Sequence, residues 1–407
     1  MRLHLITNLF APDQLAGAAL FTDLALFLRD QGHEVRVCAT FPYYPAWKLR
    51  PEDQGITVRD EHLNGIPLRR VAMYVPEHPS ATSRVLSDLS YLVALIRHAR
   101  HSAWRPDVVL TAMPMLSQCL AQRLLYVGKA IPRLIVVQDF VVDAALELGI
   151  LRFPRAAGVL RAVQRFALRS AQTLLTISPH MLGKLRRIVG PDRRTRYVPN
   201  WIHASLQAAI DGQAGPNHAR RNEVLFYAGN LGVKQGLAEF LEQFRAAKAG
   251  ESGWQLQIHG DGAEREQLSA AVAQTPGSTL GAILPEADYI KALFRASACL
   301  VTQRTGVGDN FLPSKLLPAL ATGTPVLGVC DRLSPLGREV AEGGFGVVVT
   351  PGDAPALAQH LRCWQKDPNL LAALSAKARE HAQLYRRERI LPQYEQELLA
   401  LTRQGLK

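Results

Sequence analysis

Between Gly306 and Val329 the chain reads GVGDNFLPSKLLPALATGTPVLGV. Gly306, Gly308, Asp309 and Asn310 form a loop directly after the apolar run Ala298–Thr302, which reads as a buried strand. Pro313-Ser314-Lys315 then opens a segment whose Leu316, Leu317, Leu320 and Ala321 recur at helical spacing. Ser314 is expected to cap that helix, Gly323 to end it, and Pro325–Val329 to return as a parallel strand. Unpaired amides at a helix start, the positive end of its dipole and the Lys315 ammonium would meet at one point, which suits a phosphate or diphosphate. The same spacing also suits an ordinary αβ unit whose lysine is solvated.

Two further stretches carry chemistry. The run Arg133–Val137 reads as a strand ending in Gln138-Asp139, with Asp143 just beyond. Polar groups at the carboxyl end of a parallel strand lie where α/β ligand crevices form. Asp139 is therefore a candidate acid, base or acceptor for a substrate hydroxyl, with helix capping as the alternative role. The stretch Phe41–Lys48, FPYYPAWK, is too interrupted by proline for a helix and offers Tyr43, Tyr44 and Trp47. Such a loop lines an acceptor groove, dips into a membrane interface or covers a sheet edge.

Strands and helices must alternate to hold these residues, and the sequence supplies that alternation twice. Arg2–Thr7, a Gly/Pro loop to Gly17, an apolar-periodic helix to Asp30 and Glu34–Ala39 make a first βαβ unit. Its loop lacks the G-x-G-x-x-G spacing of a dinucleotide site. Ser83–His101 reads as a helix with Leu86, Leu89, Leu92, Val93 and Ile96 on its apolar side. The polar stretch His203–Asn222 reads as the end of the first half and a linker. Strand Glu223–Ala228, loop Gly229–Gly236, strand Trp254–His259 and the turn Gly260-Asp261-Gly262 then begin a second series. The expected plan is α/β with two doubly wound, Rossmann-like domains facing an interdomain cleft: 1–205, a linker 206–222, and 223–385. A helical segment 386–407 follows, with a possible return to the first domain.

Charge and cysteine usage narrow the function classes. A net charge of +12 asks for an anionic partner. Much of it lies between Arg152 and Arg196, where Asp192 is the one acid. Arg161, Arg165 and Arg169 recur at i, i+4, i+8, opposite Val159, Leu160, Val163, Phe166 and Ala167. A basic amphipathic helix of that kind suits an anionic membrane surface or a solvated face. No aromatic interleaving or binding motif accompanies the charge, which argues against nucleic acid. Five scattered cysteines without metal-ligand spacing fit a reducing compartment. With no signal peptide and no membrane span expected, the location inferred is cytoplasmic, at the inner face of the cell membrane.

The order and spacing of several short motifs resemble the GT-B glycosyltransferases of retaining family four, most of all its colanic-acid and exopolysaccharide branch. They are Phe10-Ala11-Pro12 with Gly17, Gly32-His33-Glu34-Val35, Pro42-Tyr43-Tyr44-Pro45, Pro106-Asp107-Val108, Gln138-Asp139 and Ile177-Ser178. Pro199-Asn200, Gly229-Asn230-Leu231-Gly232 with Lys234-Gln235-Gly236, Gly260-Asp261-Gly262, Leu312-Pro313-Ser314-Lys315 and Gly323-Thr324-Pro325-Val326 complete the set.

That resemblance implies a nucleotide diphosphate-sugar donor on the second domain, GDP-linked slightly before UDP-linked, and no further cofactor or metal. Gly17, Gly229, Asn230, Gly232, Lys234, Ser314 and Lys315 would meet the diphosphate. Gly260, Asp261, Gly262, Leu284, Asn310, Phe311 and Leu312 would border the base and sugar. Gln138, Asp139, Tyr43, Tyr44 and Trp47 would form the acceptor side, the acceptor being a polyprenyl-diphosphate-linked saccharide. Asp139, Lys234 and Lys315 are the catalytic candidates, with retention through an oxocarbenium-like ion pair, since no glycosidase pair of carboxylates is apparent. Many relatives carry two glutamates around the final loop where this chain has Asn310 and Pro318. Asn230, Gln138 and Val141-Val142 also replace common Arg, His and Trp-Pro. These departures leave open a non-catalytic nucleotide-sugar-binding partner of other transferases, and an epimerase on the same plan is the third reading.

Overall fold

The computed structural model describes residues 1–13, 16–44, 46–77, 80–100, 104–113, 115–147, 154–213, 223–306 and 308–404. The chain divides into two units, Met1–Asn200 with Glu388–Lys407, and Trp201–Arg387.

The first unit is built on eight strands: β1 (Arg2–Ile6), β2 (Glu34–Thr40), β3 (Val58–Leu63), β4 (Ile66–Val71), β5 (Val108–Ala112), β6 (Arg133–Val137), β7 (Thr173–Thr176) and β8 (Arg194–Tyr197). They lie in the order β3-β4-β2-β1-β5-β6-β7-β8. Every pair is parallel except β3–β4. That hairpin closes through Asn64-Gly65, both at positive φ (49° and 81°), the backbone twist a tight two-residue turn requires. The helices are α1 (Ala16–Asp30), α2 (Ala81–His98), α3 (Leu116–Leu125), α4 (Val141–Glu147), α5 (Pro154–Leu168) and α6 (Pro179–Val189). From β1 the chain steps outward to β2 on one side and later to β5 on the other. A topological switch point therefore lies at the carboxyl ends of β1 and β5.

The second unit repeats the scheme with six parallel strands, β9 (Val224–Asn230), β10 (Gln255–Asp261), β11 (Ser278–Gly281), β12 (Ala298–Thr302), β13 (Val326–Val329) and β14 (Gly346–Val349). Their order is β11-β10-β9-β12-β13-β14, which sets the switch point between β9 and β12. Alternate residues of β9 enter opposite core layers. Val224 and Phe226 pack with Val301 and Leu316, and Leu225 and Tyr227 with Leu256, Ile258 and Leu300. Burial on both faces is why these strands read as unbroken apolar runs. Helices α7 (Ala204–Asp211), α8 (Leu237–Ala246), α9 (Arg265–Ala273), α10 (Glu286–Arg295), α11 (Leu316–Ala321), α12 (Pro335–Gly343), α13 (Ala354–Lys366) and α14 (Pro368–Ala382) connect and cover the sheet. The last helix, α15 (Arg387–Gln404), packs on the first unit, where Glu395 meets His33 at 2.8 Å and Glu397 meets Arg194 and Arg196.

Two expectations change here. The stretch taken as linker, 206–222, begins inside α7, whose Leu206 and Ile210 are buried in the core of the second unit. An i, i+4 pair on a two-turn helix is too short to show periodicity in a sequence; residues 214–222 lie outside the described set. The apolar side expected of α2 is also the wrong one to bury. Tyr91, Ala94 and Leu95 pack inward and Leu92 partly so, while Leu86, Leu89, Val93 and Ile96 face out.

Candidate functional site

The second unit's switch point gathers most of the residues expected to grip a diphosphate. Strand β9 ends in Gly229-Asn230, and β10 beside it ends in Gly260-Asp261 in register. Gly229 lies at φ +139°, and a Cβ there would stand 2.8 Å from Lys315 Cε and 2.9 Å from its Nζ. Glycine at this position is what gives the lysine its berth. A Cβ on Gly260 would stand 1.9 Å from the Gly229 carbonyl oxygen, and one on Gly262 2.4 Å from that of Leu231. The two strand ends therefore approach as closely as backbone allows. The Leu231 amide donates to the Asp261 carbonyl (2.8 Å), and the Gly262 amide donates to Asp261 Oδ1 (2.8 Å).

The two cations are held on aromatic faces. Lys315 Nζ sits 4.5 Å from the Tyr227 ring centroid, and Lys234 Nζ 4.3 Å from that of Phe311. The Tyr227 hydroxyl donates to the Asn230 carbonyl (2.7 Å), tying this platform to the glycine loop. Loss of surrounding water pushes the Lys315 pKa down to about 8, and the neighbouring Lys234 ammonium adds to the shift. A doubly charged anion placed here would relieve both effects. Around the same loops, Gln235 Oε1, Thr302 Oγ1 and Gln303 Oε1 are buried with no hydrogen-bond partner. The Arg304 amide donates to the Lys234 carbonyl (3.0 Å), joining the loop after β9 to the one after β12. Tyr227, Gln303 and Arg304 were not singled out from sequence; Tyr227 gave no signal beyond an apolar strand.

Some expected members of the site behave differently. Ser314 is exposed and caps nothing: the helix begins at Leu316 with Lys315 in the cap position and no side-chain bond to its amides. Pro318 sits in that six-residue helix, so an anion placed here would be met by lysines and glycines rather than by a long helix dipole. Asn310 is fully buried and Phe311 nearly so, while Leu284 and Leu312 pack partly against the core. Among the described residues no cluster of three or more His, Cys, Asp or Glu side chains could hold a metal.

In the first unit the acceptor-side residues fall into two groups. Gln138 and Asn200 exchange amide hydrogen bonds at 2.9 and 2.8 Å just after β6, beside the half-buried Asp139. Tyr43, Tyr44 and Trp47 pack edge to face, with ring centroids 5.5–6.5 Å apart, after β2. The β2 and β6 ends are three strand spacings apart, about 14 Å, so the sheet does not join these groups. Gly17 lies in the first turn of α1, where a Cβ would meet no atom within 4 Å. Asp13, in the same loop and passed over in the sequence, is buried, with the Tyr43 and Tyr44 backbone amides facing its carboxylate. Burial pushes its pKa up to about 6.

The basic segment is less free than the sequence implies. Arg161 and Lys184 both approach Asp143 (3.5 and 3.7 Å), and Arg169 bonds Asp192 (3.2 Å) and the Val189 carbonyl. Arg194 and Arg196 share Glu397, 203 and 201 residues away. On α5 this leaves Arg165 exposed beside Val159 and Phe166, the latter under the Arg123 guanidinium. Arg152 lies outside the described residues.

Comparison with known proteins agrees with the two-unit α/β fold. Residues 17–201 match the family described as "Glycosyl transferase 4-like domain", and residues 213–381 match "Glycosyl transferases group 1". A relative from Escherichia coli K12, described as a putative colanic acid biosynthesis glycosyl transferase, WcaI, is 29% identical over 391 residues, 91% of this chain and 93% of that one. Among solved structures, sucrose-phosphate synthase from Thermosynechococcus elongatus superposes with a TM-score of 0.75 at 18% identity, covering 98% and 99% of the two chains. Anabaena HepE, solved in complex with UDP, gives a TM-score of 0.67 at 14% identity over 98% and 100%. At these identities the two structures speak for the fold alone.

Proposed function

Since the chain belongs to the GT-B glycosyltransferases of family four, we propose that it moves a sugar from a GDP- or UDP-linked donor to a hydroxyl of a polyprenyl-diphosphate-linked saccharide. The product would serve exopolysaccharide assembly, in keeping with the description of the E. coli relative. The observation that carries this reading is the berth at the second unit's switch point, with Lys315 over Gly229 and Lys234 beside it.

In this reading the second unit holds the donor. As the sugar–phosphate bond breaks, negative charge grows on the leaving nucleoside diphosphate, and the two ammonium groups stabilise it in partly desolvated surroundings. No metal or cofactor is then required for that charge. The departing phosphate takes the proton of the incoming hydroxyl, and the anomeric configuration is retained. The first unit supplies acceptor recognition, with Asp139 as its carboxylate and the Tyr43–Tyr44–Trp47 cluster as a face for sugar or lipid. The acceptor's lipid brings the enzyme to the inner surface of the membrane; among the described residues no helix is long and apolar enough to cross it.

Calorimetric titration with GDP and with UDP, first without and then with Mg²⁺, tests the donor half. Binding of one nucleotide in the absence of metal is the expected result, and binding of neither would sink the site. Pro318 offers no side-chain acceptor for a ribose hydroxyl, which gives a second reading some footing, a nucleotide-sugar binder without turnover. Nucleotide affinity combined with no sugar transfer to any lipid-linked acceptor would select it.

A further inference from the structure

The carboxyl ends of β1 and β2 lie side by side, since the two strands pair parallel with Ile6 opposite Cys38. The chain leaves β1 toward Asp13 and α1, and leaves β2 into the loop of Tyr43, Tyr44 and Trp47. Buried polar groups stitch these two exits together. Arg70 of β4, only 2% exposed, donates to the Thr40 carbonyl (3.0 Å) and to the Ala11 carbonyl, and its Nε meets Glu61 (2.8 Å). The Thr40 hydroxyl donates to the Asn8 carbonyl, and the Asn8 side chain bonds the Tyr43 hydroxyl.

Asp13 adds a carboxylate to this seam. It is 7% exposed and faces the Tyr43 and Tyr44 amides, with Arg70 and Arg50 as its nearby cations and the Tyr43 phenol as the other titratable neighbour. Each cation already has a carboxylate of its own, Glu61 for Arg70 and Asp53 for Arg50 (2.7 Å). The amides and the cations favour the ionised form, but burial outweighs them and raises the pKa to about 6. At neutral pH the carboxylate is therefore charged at a cost to folding: its contribution is full below 3.8 and lost as pH rises through 6. A buried charge that lowers stability serves something other than stability. What it gains is strength of hold, because an ionised acceptor binds backbone amides more tightly than a neutral one.

Resting on the reading of the aromatic cluster as an acceptor face, we infer that Asp13 is a positioning residue for the acceptor, its carboxylate fixing the aromatic loop to the loop after β1. The hold on the Tyr43 and Tyr44 amides sets where the rings of Tyr43, Tyr44 and Trp47 stand. Asp13 lies beneath that surface and acts through the loop rather than on the substrate. Protonation exchanges charge-assisted bonds for neutral ones, so the loop loosens while the sheet keeps its register.

Fluorine NMR of the full chain labelled with 5-fluorotryptophan tests this without any ligand, the Trp47 resonance being identified by its loss in Trp47→Phe. In the wild type that resonance should shift with a midpoint near pH 6. In Asp13→Asn, which keeps the volume and drops the charge, it should stand still. The same variant should match the wild type in affinity for GDP and UDP and gain stability on it between pH 4 and pH 7. Kinetics with a synthetic polyprenyl-diphosphate-linked saccharide complete the test. The wild-type acceptor KM should rise about fourfold from pH 7.5 to pH 5.5, following the ionised fraction, and the variant's KM should be flat. At pH 7.5 the variant should show the raised KM with kcat close to wild type. A Trp47 resonance that ignores pH in the wild type, or that titrates alike in Asp13→Asn, would overturn the proposal. So would an acceptor KM equal in the two proteins at pH 7.5, or a variant that loses stability on the wild type between pH 4 and pH 7. No transfer to the lipid-linked saccharide at any pH would remove the acceptor reading instead, and the Trp47 titration would still decide whether Asp13 governs the loop.

Discussion

The carboxyl edges of the two sheets are built on different terms. In the second unit the edge is mainly backbone, with Gly229, Gly260 and Gly262 bringing strand ends together so closely that a lysine side chain fills the remaining space. Its two cations rest on aromatic rings, beside buried acceptors that have no partner. In the first unit the edge is side chains already engaged with one another, such as the Gln138–Asn200 amide pair and the aromatic cluster. A ligand group that never changes, a diphosphate, can be met by fixed main chain and point charges. An acceptor that differs between enzymes is better met by side chains, which can be exchanged without disturbing the sheet.

The sharpest way to break this contrast is Gly260→Val. With its Cβ 1.9 Å from a carbonyl oxygen and φ at +151°, strain and overlap together should cost about 3 kcal/mol or more in a denaturant melt. An unchanged midpoint would mean the strand ends are not as tightly joined as described. Next in size, Lys315→Ala and Lys234→Ala should each weaken nucleotide binding by about 1.5–3 kcal/mol. Asp139→Asn should leave nucleotide affinity alone and lower turnover. Unchanged affinity in both lysine variants would remove the diphosphate assignment.

The pH dependence sharpens the same point. Lys315 titrates near 8 in the folded chain, below its ordinary value of 10.5. Holding it charged is therefore a cost to folding that is complete below about 8 and is relieved as pH rises toward 10.5. A bound diphosphate favours the ammonium, so binding should take up protons around pH 8 and weaken at higher pH. Titration in two buffers of different ionisation enthalpy measures that uptake, and its absence in Lys315→Ala assigns it. In the first unit Asp13 runs the other way. Its raised folded pKa, about 6 against 3.8, gives a stability contribution that is full below 3.8 and lost as pH rises through 6. Asp13→Asn should flatten that window in melts at pH 4 and pH 7. The smallest effect is expected of Gly17→Ala, which has room for its methyl and should shift stability by under about 1 kcal/mol while slowing transfer.

Much of this was legible in the chain. Alternating apolar runs and helical periods located the strands of both units, because strands covered on two faces must be apolar throughout. Lys315 and the glycine loop before it could be read as an anion site from residue type, alongside an ordinary αβ unit, whereas Lys234 and the Gly229–Gly232 loop entered only through the family resemblance. Less visible was how that site works. Ser314 looked like a cap, yet the helix starts two residues later, and Tyr227 looked like any core strand residue until a lysine was found on its ring.

What the sequence determined, then, is composition along each element: which segments form sheet, where glycine frees the backbone, and which cations stand in loops. What tertiary structure decided is who meets whom across long separations. Arg194 and Arg196 are part of a basic run in the sequence, but Glu397 from the last helix shares its charge with them. Leu89 stood on the expected apolar side of α2 and Leu95 did not, yet Leu95 is buried in the core and Leu89 faces out. Periodicity records that a residue is apolar, whereas burial depends on what the remaining chain brings to cover it, and that information is not local.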